Sequence, residues 1–339
     1  MQFARRILVA TACALGLLVT VSVGRAQPIA LLPNDTELIV TINFQQILKS
    51  EVVKANKTLI DLAKGKIEEQ LDDKGVSKWL KKADFDLFRD LSSVTFAVPG
   101  GRNPQEGIIL LEGKFNAEKI DAAVVAASKE AGGGVKVTRI ANVKAYEVTP
   151  KEDKTMYVGV LDSKTIIACA TKKDFAAAVA RLNSAKAPAF KSAAIKKLMS
   201  TVNKKQSISM VATASLLAKL GENSPQADNP QVQQAMAILK TMEGGSLALT
   251  INKDIDLQVA VTTMDAETAQ KYAGVLNLLV GVAKMKVAEK AKEDEKFKTV
   301  VDIVNTVRVT TQGPNLVIRG QVTFANLEKL LQNLPIPQN

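Results

Sequence analysis

The chain contains no histidine. That absence removes Ser-His and Cys-His nucleophile pairs, imidazole acid-base catalysis near neutral pH and any His-containing zinc site. Cysteine is almost as scarce, with Cys13 and Cys169 the only two. Cys13 lies in a segment expected to be removed, so the mature chain holds one thiol and no intrachain disulfide is expected. Cys169 sits in the apolar run Thr165 to Ala170 and reads as a small buried hydrophobe, not a nucleophile. Aromatic residues make up only 4% of the sequence, and none is interleaved with arginines in a base-stacking pattern. Nucleic acid is therefore not expected as a partner.

Chemical motifs are missing too. Gly65-Lys66-Ile67 and Gly113-Lys114-Phe115 lack the hydroxyl and upstream glycine of a phosphate-cradling loop. No Gly-x-Ser-x-Gly elbow and no Ser-x-x-Lys pair is found. Gly132 to Gly134 precede a strand, whereas a dinucleotide fingerprint would stand between a strand and a helix, so they read as a helix stop. No cofactor and no metal are expected.

What is present begins at the N-terminus. Arg5 and Arg6 precede an apolar run from Ile7 to Val23, then Gly24, Arg25 and Ala26. This is the pattern of a signal peptide over residues 1–26, with the mature chain starting at Gln27 and placed outside the cytoplasm, in the periplasm or secreted. An uncleaved anchor is the competing reading; the small residues at 24 and 26 and the following Pro28 favour cleavage. Removal takes three of the 45 basic residues and none of the 34 acidic ones, leaving a mature net charge of +8. No integral membrane segment is expected beyond it, and lipidation at Cys13 fits poorly because most of the apolar run follows it.

The rest of the chain reads as two passes through similar elements. In the first, over 27–188, a strand at Thr36 to Phe44 is followed by a short helix from Gln45 and a longer one from about Lys54 to Asp73. An apolar cluster of Trp79, Leu80, Phe85, Leu87 and Phe88 comes next. Strands at Ser93 to Val98 and Gly107 to Glu112 lead into a helix capped by Asn116. Four further strands run from Val135 to Ala170, and Thr171 with Asp174 opens a closing helix as a capping box. A helical connector spans 189–205. The second pass, 206–339, offers a strand at Ser207 to Ala212, helices, and a hairpin of Ser246 to Ile251 with Ile255 to Thr262. A helix from Asp265, strands at Thr306 to Thr311 and Leu316 to Val322, and a helix from Thr323 complete it. The expected fold is α+β: two similar halves, each a mainly antiparallel sheet with helices on one face, arranged as a pseudo-twofold duplication.

Carboxylates supply the remaining candidates for chemistry. Asp84, Asp86 and Asp90 alternate with aromatics, and Glu68, Glu69, Asp72 and Asp73 share a helix end. A pair of carboxylates serves acid-base or glycosidic chemistry if one is buried with its pKa raised. Two helical features stand beside them. Tyr272, Val275, Leu276, Leu279 and Val282 form an apolar stripe with Gly274 and Gly281 a heptad apart, expected to pack in the core. Lys284 to Lys298 reads as a charge-laced, solvated helix.

The lead-in Leu31-Leu32-Pro33-Asn34-Asp35-Thr36, running into the strand Leu38 to Asn43, resembles that of uncharacterised exported bacterial proteins, the planctomycete-type secreted families. The resemblance implies an extracytoplasmic place and brings no functional residue with it. The expected function is a non-enzymatic binding or structural component of the periplasm or cell envelope, whose partner is an anionic envelope component or another exported protein. A histidine-free hydrolase or lyase using a carboxylate pair, and a carrier of an apolar small ligand, are the alternatives.

Overall fold

The computed structural model describes residues 28–73, 76–103, 106–130, 135–149, 155–184, 190–202, 205–222 and 229–332. The expected signal segment at 1–26, with Cys13, and the glycines at 132–134 lie outside the described residues. The fold is α+β. The chain divides into two compact units: one takes residues up to Leu48 with Asn56–Ser192, the other Lys49–Ala55 with Ala193–Asn339.

In the first unit the order is β1 (Thr36–Asn43), α1 (Phe44–Lys49), then, after α2 (Glu51–Ala55), which belongs to the second unit, α3 (Lys57–Asp73), α4 (Val76–Lys82) and α5 (Leu87–Asp90). There follow β2 (Leu91–Pro99), β3 (Ile108–Gly113), α6 (Ala117–Glu130), β4 (Val135–Ile140), β5 (Val143–Val148), β6 (Met156–Asp162), β7 (Thr165–Cys169) and α7 (Lys172–Ser184). The strands pair antiparallel in the order β1-β2-β3-β7-β6-β5-β4.

The registers explain the core. Leu110 of β3 stands between Thr95 of β2 and Ile167 of β7, and Ile167 faces Gly159 of β6. Leu110, Ile167 and the Phe175 side chain of α7 are fully buried. The Phe175 ring lies where a side chain on residue 159 would stand, so glycine there is the socket for the ring. The helix is held over this socket by its first turn. The Asp174 backbone N–H donates to Thr171 Oγ1 at 3.1 Å, and that hydroxyl donates to Asp174 Oδ2 at 2.6 Å. Arg102 closes the group with a 2.5 Å ion pair to Asp174. The local capping signal thus also serves tertiary packing.

The second unit runs α8 (Ala193–Met199), β8 (Ile208–Thr213), α9 (Ala214–Glu222), α10 (Pro230–Leu239), β9 (Met242–Ile251), β10 (Ile255–Thr263), α11 (Ala266–Glu293), α12 (Phe297–Thr306), β11 (Arg308–Gln312), β12 (Asn315–Val322) and α13 (Phe324–Gln332). Its strands pair antiparallel as β8-β9-β10-β12-β11. Strand for strand this is the order β1-β2-β3-β7-β6 of the first unit. The β4–β5 hairpin of the first unit has no counterpart in this order, and its place between helix and next strand is taken by α12.

Two sequence expectations change here. The charge-laced helix was expected to continue to Lys298, but α11 stops at Glu293, where the Asp294 N–H closes on the Lys290 carbonyl at 2.9 Å. A separate helix, α12, then covers Phe297–Thr306 and takes in Thr306, the residue expected to open the next strand. Phe297, Val300, Val301 and Val304 recur at helical spacing, a periodicity that outweighs the strand preference of the valines. The second unit also buries smaller side chains. Its buried apolar residues include Ala194, Ala212, Ala214, Ala248, Ala260, Ala269 and Ala273, while several of its leucines and methionines are exposed.

Candidate functional site

The acidic-aromatic candidates come together in the first unit. Asp84, Asp86 and Arg89 line an open cleft of about 430 Å³ with Glu68, Asp72 and Lys81, on a floor that includes Leu71, Leu80 and Phe85. Phe85 is buried and stacks on Phe115 at a centroid distance of 5.4 Å. Each of the three aspartates is engaged. Asp86 caps α5, its Oδ1 accepting from the N–H groups of Phe88 at 2.8 Å and Arg89 at 2.9 Å. Asp90 is buried; its Oδ2 accepts from the Asp86 N–H at 2.9 Å, and Arg89 grips both its oxygens at 2.8 and 2.6 Å. Asp84 has φ of 50° and pairs with Lys119 at 2.5 Å.

The electrostatics run against acid catalysis. The hydrogen bond from Lys119 holds the Asp84 carboxyl below the usual carboxylate range, and that from Arg89 does the same for Asp90. A general acid needs the opposite direction. These shifts have a consequence for stability. A carboxyl whose pKa is depressed by folding stabilises fully above its unfolded pKa and loses that contribution as pH falls through its folded value. Asp90→Ala should therefore cost about 1–3 kcal/mol at neutral pH, by removing the buried acceptor of the Asp86 N–H and of the Arg89 guanidinium, and the gap to wild type should close on acidification. Urea unfolding at neutral and acid pH measures it; a gap that does not shrink would rule out this role.

Among the described residues no cluster of metal-ligating side chains is found. Cys169 is fully buried, and burial pushes its thiol well above the ordinary range, so it is a poor nucleophile.

The second unit presents a different kind of site. Helix α11 opens on Asp265, whose Oδ1 accepts from the Thr268 N–H at 2.6 Å and whose carboxyl is held below its usual range by that bond. Its 28 residues lie over β10, β12 and β11 and beside α12. The contact face is narrow. Ala269 and Ala273 are buried, and Tyr272 ties the helix to Thr241 through a 3.0 Å hydroxyl contact.

The outward face carries the large apolar side chains. Val275 is 50% exposed, Leu278 73%, Leu279 58%, Val282 43% and Met285 67%. The expected packing of this stripe in the core is corrected: Val275, Leu279 and Val282 face outward. At 100° per residue Val275 and Val282 fall on the side away from Ala269 and Ala273, with Leu279 on the flank, and the alanines let the helix lie close to the sheet. The sequence stripe was real, but the alanine face won the interior. Leu278 and Met285, which sequence reasoning did not single out, are the most exposed of the set; their spacing from Val275 and Val282 was the available signal.

Between Lys271 and Lys284 there is no charged residue, and Lys286, Lys290 and Lys292 follow. Fully burying side chains of this kind is worth about 1.5–3 kcal/mol each, so a face of five left in water is a standing drive for association. Among the described residues no helix is long and apolar enough to cross a membrane.

Comparison with protein-family models and with curated protein sequences gives no match. Among solved structures, the chain is similar in fold to crystal form III of TP0453, with 12% identity and a TM-score of 0.46 over 91% of this chain and 99% of that one. Crystal form I of TP0453 aligns at 11% identity and a TM-score of 0.44, covering 91% and 97% of the two chains.

Proposed function

We propose that this chain is an exported, non-enzymatic binding or structural component of the periplasm or cell envelope, acting through a macromolecular contact on the outward face of α11. The observation that carries the reading is the line of five exposed apolar side chains from Val275 to Met285, bounded by lysines. Of the candidate carboxylates, Asp84, Asp86 and Asp90 are engaged in a helix cap and ion pairs. The signal-like segment 1–26, the lead-in Leu31 to Thr36 and the mature charge of +8 support placement against anionic envelope material.

The test is co-sedimentation of the purified chain Gln27 to Asn339 with isolated cell envelopes at low and high salt. Leu278→Ser with Leu279→Ser should reduce retention by about tenfold or more while leaving stability within about 0.5 kcal/mol, because both positions are solvated. Equal retention of variant and wild type, or no retention of either, would overturn the reading.

A further inference from the structure

We infer that the cleft of the first unit binds a short peptide with free ends and apolar side chains, its ammonium at Glu68 and Asp72, its carboxylate at Lys81 and its backbone at Ser77. This site is separate from the α11 face and stands or falls without it. Two helices wall the cleft. Glu68, Leu71 and Asp72 of α3 line it from one side, and Ser77, Leu80 and Lys81 of α4 from the other. Each set has the three- and four-residue spacing that brings side chains onto one helix face. Acid, leucine and acid on one wall therefore stand across from hydroxyl, leucine and ammonium on the other.

Most charges around the cleft already have partners within the chain. Arg89 holds Asp90 and Lys119 holds Asp84, while Asp86 caps α5. Lys64 lies over the Phe88 ring at 5.2 Å, and Lys78 and Lys82 lie over the Trp79 ring at 5.3 and 4.7 Å. Among the described residues, the side chains of Glu68, Asp72, Ser77 and Lys81 make no hydrogen bond or ion pair. Water serves the three exposed ones. Ser77 is different, because it is only 8% exposed and its side chain belongs to the cleft wall. Buried hydroxyls are nearly always paired, and a peptide N–H or carbonyl seated in the cleft supplies the partner that this one lacks.

Size and polarity choose the ligand. The volume of about 430 Å³ falls within the range of about 300–1,000 Å³ typical of pockets for small organic ligands. Buried Leu71, Leu80 and Phe85 offer an apolar floor for side chains. Two carboxylates on α3 disfavour an anion, and Lys81 on α4 disfavours a ligand that is cationic throughout. A molecule with an ammonium at one end, a carboxylate at the other and apolar groups between them satisfies every lining group that the chain leaves without a partner.

Isothermal titration of Gln27 to Asn339 with the dipeptide Leu-Leu at low salt tests this, with the fluorescence of Trp79, the single tryptophan of the chain, as a second readout from α4. The dissociation constant should be about 1 mM or lower. N-acetyl-Leu-Leu and Leu-Leu amide, each lacking one terminal charge, should bind about tenfold more weakly. Free leucine should also bind more weakly, having one side chain fewer for the floor. Glu68→Gln with Asp72→Asn should weaken Leu-Leu by about tenfold and leave N-acetyl-Leu-Leu unchanged, and Lys81→Gln should do the same with the amide as the insensitive probe. Ser77→Ala should weaken binding about fivefold while the urea midpoint stays level or rises, because the hydroxyl has no partner in the chain to lose. Circular dichroism confirms that all variants are folded.

No binding of Leu-Leu up to about 10 mM overturns the inference. Equal binding of the blocked peptides overturns it too, since the terminal charges would then have no role. Leucine that binds as tightly as Leu-Leu would assign the cleft to a free amino acid instead of a peptide. A fall in the stability of Ser77→Ala would show that the hydroxyl serves the fold, and removes the argument from Ser77.

Discussion

Phe175→Ala should lower the stability of the protein by about 3–5 kcal/mol, read as a fall in the urea midpoint at unchanged slope. The ring is fully buried and fills the gap over Gly159 between β6 and α7. Val179 and Leu182, one and two turns further along α7, are also buried, but neither can follow the lost ring into the socket without moving a helix anchored by Thr171 and Asp174. The cavity therefore persists, and the cost includes both lost transfer energy and lost contacts. A loss below about 1 kcal/mol would mean that the site collapses and that the socket is not rigid. Gly159→Ala supplies the converse test, since its added methyl would collide with the same ring.

Gly244→Val carries the second large effect, and its sign is the one a sequence reader would get wrong. Glycine inside a strand is normally a weakness, and valine is among the best strand formers, so propensity alone predicts a gain of about 1 kcal/mol. In β9 a Cβ on residue 244 would stand 2.5 Å from the Ala212 carbonyl oxygen of β8 and 2.8 Å from Leu198 Cδ1 of α8. The first of these is backbone in a paired strand and cannot swing aside. We expect a loss of about 2–3 kcal/mol, seen as a drop in Tm. The neighbouring Gly245 is the control. Its Cβ would meet the Ala260 carbonyl oxygen at 3.4 Å, an ordinary contact, so Gly245→Ala should be neutral or stabilising. If the two variants behave alike, the close approach of β8, β9 and α8 is wrong.

The contrast between those glycines shows where sequence reading runs out. Gly244 and Gly245 are adjacent, identical and in one strand. What separates them is the direction of the missing side chain relative to α8, a helix more than forty residues earlier. The aspartates teach the same lesson. Asp84, Asp86 and Asp90 were legible as a cluster, because they alternate with apolar residues that had to turn inward. That Arg89 takes both oxygens of Asp90, and Lys119 takes Asp84, depends on distances that spacing does not contain. Helix starts were more open to reading: Asn116, Thr171, Asp265 and Thr323 each accept from an N–H three residues ahead, an interaction wholly inside the local chain.

The sequence by itself determined that this chain has no imidazole of its own and only two cysteines. It also determined where most strands and helices lie and that the fold is α+β. These follow from side-chain identity and from periods of two and 3.6 residues, which neighbours along the chain impose on one another. Only the tertiary structure decided which side of α11 faces water. Apolar residues lie all around the middle of that helix, so periodicity could not choose between its two faces. The choice fell to close packing: small Ala269 and Ala273 fit against the sheet, and the larger Val275, Leu278, Leu279, Val282 and Met285 were left outside.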